Sequence, residues 1–210
     1  MQKLIAFLPA MLLVILVSPV LPGKNEHKTR RIFFTTANIW YEKANDIPST
    51  NYHKGRMLPI GTMVTKVSIR DGHASGRVSQ SSVLAKKPDS MIVPMDITFE
   101  DEHGEKFVIT FLKKHASSTM TVRDYFRQYF SREDPLREGG PVQQLTDAEK
   151  ENVKNGVISI GMSKEAVLMA YGYPPSHRTP SIEDDHWIYW ISRVSQKEVF
   201  FADGKVVQIK

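Results

Sequence analysis

The chain has 210 residues, 41% hydrophobic and 24% charged, enough for one large core or two small ones, and it reads as two small domains. It contains no cysteine, which excludes a disulfide framework, a thiolate metal site and an N-terminal lipid carried on cysteine. The formal charge of +5 is uneven, with 19 Lys and Arg against 14 Asp and Glu over residues 24–145 and 8 against 9 over residues 146–210; the basic first half either favours an anionic lipid or polymer surface or is a solvated face.

Residues 1–23 open with one cation, Lys3, continue through an apolar run over residues 4–17 and end in Ser18, Pro19 and Pro22. That is the layout of a secretory signal peptide. Counted on to Leu21, the run comes within the roughly 17–25 residues that span a bilayer, so an uncleaved N-terminal anchor is the alternative. No A-x-A pattern marks a cleavage point, and Lys24, Lys28, Arg30 and Arg31 follow directly, against the usual charge asymmetry. The expected location is the periplasm or cell envelope, with any membrane association made through residues 4–21.

Residues 31–41 are rich in β-branched and aromatic types and predict a strand. A polar loop over residues 45–55 leads to Leu58-Pro59-Ile60-Gly61-Thr62, where Pro and Gly punctuate the start of a strand over residues 63–69, closed by an Asp71-Gly72 turn. Residues 75–87 are polar and ambiguous. Residues 95–99 and 106–111 alternate with period two around Asp101-Glu102-His103-Gly104, which predicts a hairpin. These strands predict a β-rich domain, a small barrel or sandwich, over residues 29–114. The pattern Leu58-Pro59-x-Gly61-Thr62-x-Val64 resembles that of bacterial SH3-like barrels. That resemblance implies a groove for a peptide or cell-wall polymer, with Trp40, Tyr41, Tyr52 and His53 as candidate binding residues; the alternative is that the aromatics are core or rim packing.

Thr121 and Asp124 have the spacing of a helix cap, and Val122, Tyr125, Phe126, Tyr129 and Phe130 fall on one helical face. This predicts an amphipathic connecting helix over residues 119–131, buried against the β-domain or bridging the halves. Pro135, Gly139, Gly140 and Pro141 mark residues 132–144 as a linker. Thr146 and Glu149 then form a capping-box signature for a short helix stopping near Asn155-Gly156. A second helix is bounded by Ser163, an N-cap, and by Gly172, expected in the left-handed conformation, with Pro174 forbidding continuation. Strands are predicted over residues 186–192, 197–201 and 205–209, the last two joined by an Asp203-Gly204 turn. One face of the first, Trp187, Tyr189 and Ile191, should meet the helices. The expected fold class is α+β: a β-rich N-terminal domain followed by a two-helix, three-stranded antiparallel sheet domain over residues 145–210.

The order of Ile160-Gly161-Met162-Ser163-Lys164-Glu165-x-Val167, Tyr171-Gly172-Tyr173-Pro174, an aromatic strand and Phe200-Phe201-x-Asp203-Gly204-Lys205-Val206 resembles the SmpA/OmlA family, the BamE-like domain of the outer-membrane assembly machinery. The motif positions are Gly161, Met162, Ser163, Gly172, Pro174, Asp203 and Gly204. The resemblance implies an ααβββ module serving as a binding or scaffolding surface for an envelope protein or anionic lipid; with the SH3-like resemblance, the expected partner is an envelope protein, an anionic lipid or a cell-wall polymer. The chain departs from the best-known members in lacking a cysteine for a lipid anchor and in carrying an additional N-terminal domain.

Chemistry-bearing patterns are sparse. The histidines show no His-x-x-x-His or His-Glu-x-x-His spacing, so no metal site is expected, and Gly156-Val157-Ile158-Ser159-Ile160-Gly161 is one residue too long for a nucleophile elbow. No phosphate-binding glycine loop or dinucleotide fingerprint is present, and neither a cofactor nor nucleic acid is expected. The expected function is that of an exported, non-enzymatic cell-envelope protein. The alternative is an exported hydrolase or metal-dependent enzyme with a site between the domains, drawing on Asp184, His186, His53 and Ser159.

Overall fold

The computed structural model describes residues 31–72 and 95–210. The signal or anchor reading of residues 1–23 and the ambiguous stretch over residues 75–87 lie outside the described residues. The described chain is α+β, as expected from the sequence, with a curled six-stranded sheet, a three-stranded antiparallel sheet and a two-stranded ribbon.

The single strand expected over residues 31–41 is two strands, β1 (Phe33–Thr35) and β2 (Ile39–Tyr41), which enter different sheets. The break has a chemical cause. Thr36 donates its N–H to the Tyr129 carbonyl and its hydroxyl to the Gln128 carbonyl, while Asn38 donates its N–H to the Met169 carbonyl. Backbone that would continue one ladder instead satisfies carbonyls at two helix ends.

Five further strands precede the first helix, the first four being β3 (Ile47–Pro48), β4 (Arg56–Leu58), β5 (Met63–Asp71) and β6 (Met95–Asp101). The sixth is paired by β7 (Lys106–Thr110), and the two form the expected hairpin, with Glu100 opposite Lys106 and Asp96 opposite Thr110. A helix α1 (Val122–Tyr129) follows, opened by the capping box of Thr121 and Asp124, and it buries Val122, Tyr125, Phe126 and Tyr129. It runs directly into β8 (Phe130–Ser131), which pairs with β1. Its apolar face therefore closes the first core, among Ile39, Ile47, Val64, Ile97, Phe99, Phe107 and Ile109. The sheet order is β3-β7-β6-β5-β1-β8.

Residues 132–144, expected as a linker, are folded. Arg137 and Gly140 donate to carbonyls three residues back, a 3-10 turn covers Pro141–Gln144, and Val142 is buried in the second core. Proline and glycine mark tight turns as readily as linkers, and only the burial of Val142 separates the two.

The second part comprises α2 (Asp147–Asn155), α3 (Lys164–Tyr171), β9 (His186–Trp190), β10 (Gln196–Ala202) and β11 (Lys205–Ile209). The strands are antiparallel in the order β11-β10-β9. Trp187, Tyr189, Val199, Phe201 and Val206 share a core with Val153, Met162, Ala166, Val167 and Ala170. Asp203 (φ 50°) and Gly204 (φ 73°) make the tight turn between the last two strands with both central residues at positive φ. Ile60, which precedes β5 in sequence, is buried in this second core, so the first part of the chain contributes to both.

Candidate functional site

A helix leaves its last carbonyls without intrahelical partners. Here those of α2 and α3 are satisfied from the first part of the chain. Asn38, fully buried, donates Nδ2–H bonds to the Val153 carbonyl (2.7 Å) and the Ala170 carbonyl (3.0 Å), and its Oδ1 accepts from the Ile60 N–H (2.8 Å). Asn51, at φ 48°, accepts from the Trp40 N–H at 2.7 Å and donates to the Asn38 and Tyr171 carbonyls. His53 adds a third contact, with Nε2 2.7 Å from the Tyr171 carbonyl oxygen. Because a carbonyl only accepts, Nε2 carries the proton and Nδ1 is left with its lone pair. Burial lowers the His53 pKa to about 4 despite the backbone hydrogen bonds to Tyr171 and Trp190, so the ring is neutral at pH 7. It stacks on Tyr171 at 3.4 Å between centroids and meets Trp40 and Tyr189 at 5.7 Å each.

The close approach explains two glycines. Gly156 (φ 63°) closes α2 with its Cα against Trp40 and Met57, where an added Cβ would come within 2.6 Å of the indole. Gly172 closes α3 at φ 79° and ψ −173°, which is not the expected left-handed helical region but an extended mirror-image conformation open essentially to glycine alone. A Cβ there would fall 2.4 Å from Asn51 Nδ2 and 2.8 Å from the Tyr129 hydroxyl.

Beside this seam opens a cleft of about 830 Å³, within the size range of ligand sites. Its lining comes from both parts of the chain: Glu42, Asp46, Pro48, Tyr52 and Lys54 from β3 and the loops around it, Thr110, Leu112, Lys114 and His115 from the end of β7 onward, and Trp190, Ser192, Arg193 and Val194 from the end of β9 and the turn leaving it. Tyr52 and Trp190 face each other at 6.5 Å with planes tilted by 46°. Trp190 also packs against His115 (5.7 Å) and His177 (5.9 Å), and His177 Nδ1 lies 2.9 Å from the His115 carbonyl oxygen. Burial lowers the His115 pKa, with His177 and Lys114 adding to the effect. At the rim Lys54 pairs with Glu42 at 2.9 Å, whereas Lys114, Arg193 and Asp46 make no ion pair among the described residues. Trp40 Nε1, His115 Nδ1 and Trp190 Nε1 are buried without hydrogen-bond partners among those residues.

Of the residues expected to bind, only Tyr52 lines the cleft. Tyr41 is buried against Phe107 beneath the Arg56 guanidinium, Trp40 packs over Gly156, and His53 stands behind the cleft as a helix-end partner. The motif residues Gly161, Met162, Ser163, Gly172, Pro174, Asp203 and Gly204 hold helix ends and turns, with Ser163 accepting from the Ala166 N–H and Met162 buried. The four residues of the enzyme alternative have separate engagements: His186 pairs with Glu198, Asp184 accepts from the Ser181 N–H, Ser159 bonds Asn152, and His53 bonds Tyr171. No group of three or more His, Asp or Glu among the described residues could hold a metal ion.

Sequence reading missed Trp190, His115, Lys114, Arg193 and Asp46. Trp190 was legible as a residue on the outward face of its strand, opposite Trp187 and Tyr189, but nothing local shows that this face meets the chain after β7.

No family model, curated protein or solved structure matches the chain.

Proposed function

We propose that the protein is an exported, non-enzymatic component of the cell envelope that holds a partner in the cleft between its two parts, and that residues 145–210 are a BamE-like module. The observation that carries this reading is the cleft of about 830 Å³, walled by aromatic and charged side chains from both parts of the chain. It is supported by the apolar run over residues 4–17 in front of a polar chain, and by the motif order from Gly161 to Val206. The partner is an envelope protein, an anionic lipid or a cell-wall polymer.

N-terminal sequencing of the chain recovered from fractionated cells, with crosslinking of intact envelopes and pull-down, tests the reading. The expected result is an envelope fraction that carries outer-membrane or cell-wall components on the protein. Recovery in the cytosol, or no envelope component under several crosslinkers, overturns it.

A further inference from the structure

The cleft's walls carry more chemical information than its location. Lys114 from the first part of the chain and Arg193 from the second are cations without ion-pair partners among the described residues, and Asp46 is an anion without one. A polyanion would meet Asp46 and Glu42, and a polycation would meet Lys114 and Arg193. A neutral glycan would leave all three unpaired charges uncompensated. Exposed charges of both signs around one cleft suit a ligand that carries both signs at separate points along its length.

The aromatic pair points the same way. A sugar ring stacks on a flat platform, but Tyr52 and Trp190, tilted by 46° at 6.5 Å, form a notch. A notch of this kind accommodates a single apolar or aromatic side chain, the type of anchor that dominates protein recognition. The lining also includes Pro48 and Thr110, paired neighbours at the edge of the six-stranded sheet, so the cleft runs beside extended backbone.

We propose that the cleft takes an extended peptide segment of a partner protein, with an apolar or aromatic residue in the Tyr52–Trp190 notch, an acidic residue at Lys114 and Arg193, and a basic residue at Asp46. This rests on the cleft being the working site of an envelope binding protein. Val194, 96% exposed, lines the cleft at the turn after β9 but is outside the proposed contacts, and it offers a place for a probe.

The test is a photocrosslinking amino acid placed at Val194 or at Ser192 in the full chain, irradiated in living cells, with the adduct divided between protease and cell-wall hydrolase digestion. The expected adduct contains partner polypeptide and is degraded by protease alone. Its yield should fall about tenfold in the double variant Lys114→Glu, Arg193→Glu, and at least as far in Tyr52→Ser, which leaves the packing of Trp190 on His115 and His177 in place. An adduct released by cell-wall hydrolase, or extracted as lipid, keeps the cleft as the site and overturns the peptide assignment. A polypeptide adduct indifferent to both variants also overturns it. The absence of any adduct at either position overturns the cleft reading itself.

Discussion

Glu149 joins the starts of two helices. Its carboxylate accepts from the Thr146 N–H and hydroxyl at the head of α2, and from the Ser163 N–H and hydroxyl at 2.8 Å each at the head of α3, with Lys205 Nζ at 3.4 Å. Burial alone would raise its pKa, but these donors outweigh it and hold the group at about 2. Both helix N-termini favour a negative charge there. Glu149→Gln is expected to cost roughly 2–4 kcal/mol in urea unfolding at pH 7, because the amide presents N–H groups where donors already stand. Since the folded pKa lies below the unfolded value of 4.5, the stabilisation is complete above pH 4.5 and is lost as pH falls towards 2. In the variant, that part of the acid dependence should vanish. Asn38 gives a second residue-scale expectation. Its amide faces two carbonyls, so Asn38→Asp should destabilise more than Asn38→Ala at pH 7, the carboxylate being repelled by Val153 and Ala170 oxygens.

At the scale of elements, the ends of α3 differ in what they demand. Gly161 has φ 87° but nothing within 4 Å of an added Cβ, whereas Gly172 combines positive φ with contacts of 2.4 and 2.8 Å. Gly161→Ala should therefore cost about 1 kcal/mol by conformation alone, and Gly172→Ala should cost more, with displacement of Asn51 visible as loss of amide-exchange protection at Trp40. Sequence showed both glycines as helix boundaries, since Ser163, Gly172 and Pro174 are local signals; it could not show that Asn51 and Tyr129 press against Gly172, because those contacts join residues 121 and 43 positions apart in the chain. The strand split at Thr36–Asn38 was hidden for the same reason. Its β-branched and aromatic composition is that of a single strand, and the carbonyls that draw the backbone aside belong to α1 and α3. The Asp203-Gly204 hairpin and the Thr121 and Thr146 capping boxes, by contrast, are complete within a few residues and were legible.

Across the whole molecule, the two cores are bound together by buried hydrogen bonds and by Ile60, so a fragment of residues 145–210 would lack Asn38, Asn51, His53 and Ile60. The fragment should unfold at lower denaturant than the intact chain, whose two parts should melt in one transition by both near-UV and far-UV circular dichroism. The seam also has a pH signature. The folded pKa of His53, about 4, lies below its ordinary 6.5, so its contribution is fully present above pH 6.5 and is lost as pH falls towards 4. Between pH 7 and pH 5 this one group should account for a loss of about 2 kcal/mol, and His53→Gln should flatten the slope by that share when stability is measured across the range. Of the cleft itself, only Tyr52 was within reach of sequence reasoning. Trp190, Lys114 and Arg193 acquire their meaning when two sheets far apart in the chain are brought edge to edge.

The hydrogen bonds that Asn38, Asn51 and His53 make to the ends of the helices have a kinetic consequence. The wall at Tyr52, set between Asn51 and His53, is fastened in this way and does not have to close around a ligand in the proposed cleft, so ordering that wall adds little to the entropic cost of association. Encounter should then be a single step whose observed rate rises linearly with ligand concentration, without the plateau that a gating motion imposes, and differences in affinity among ligands should appear chiefly as differences in residence time.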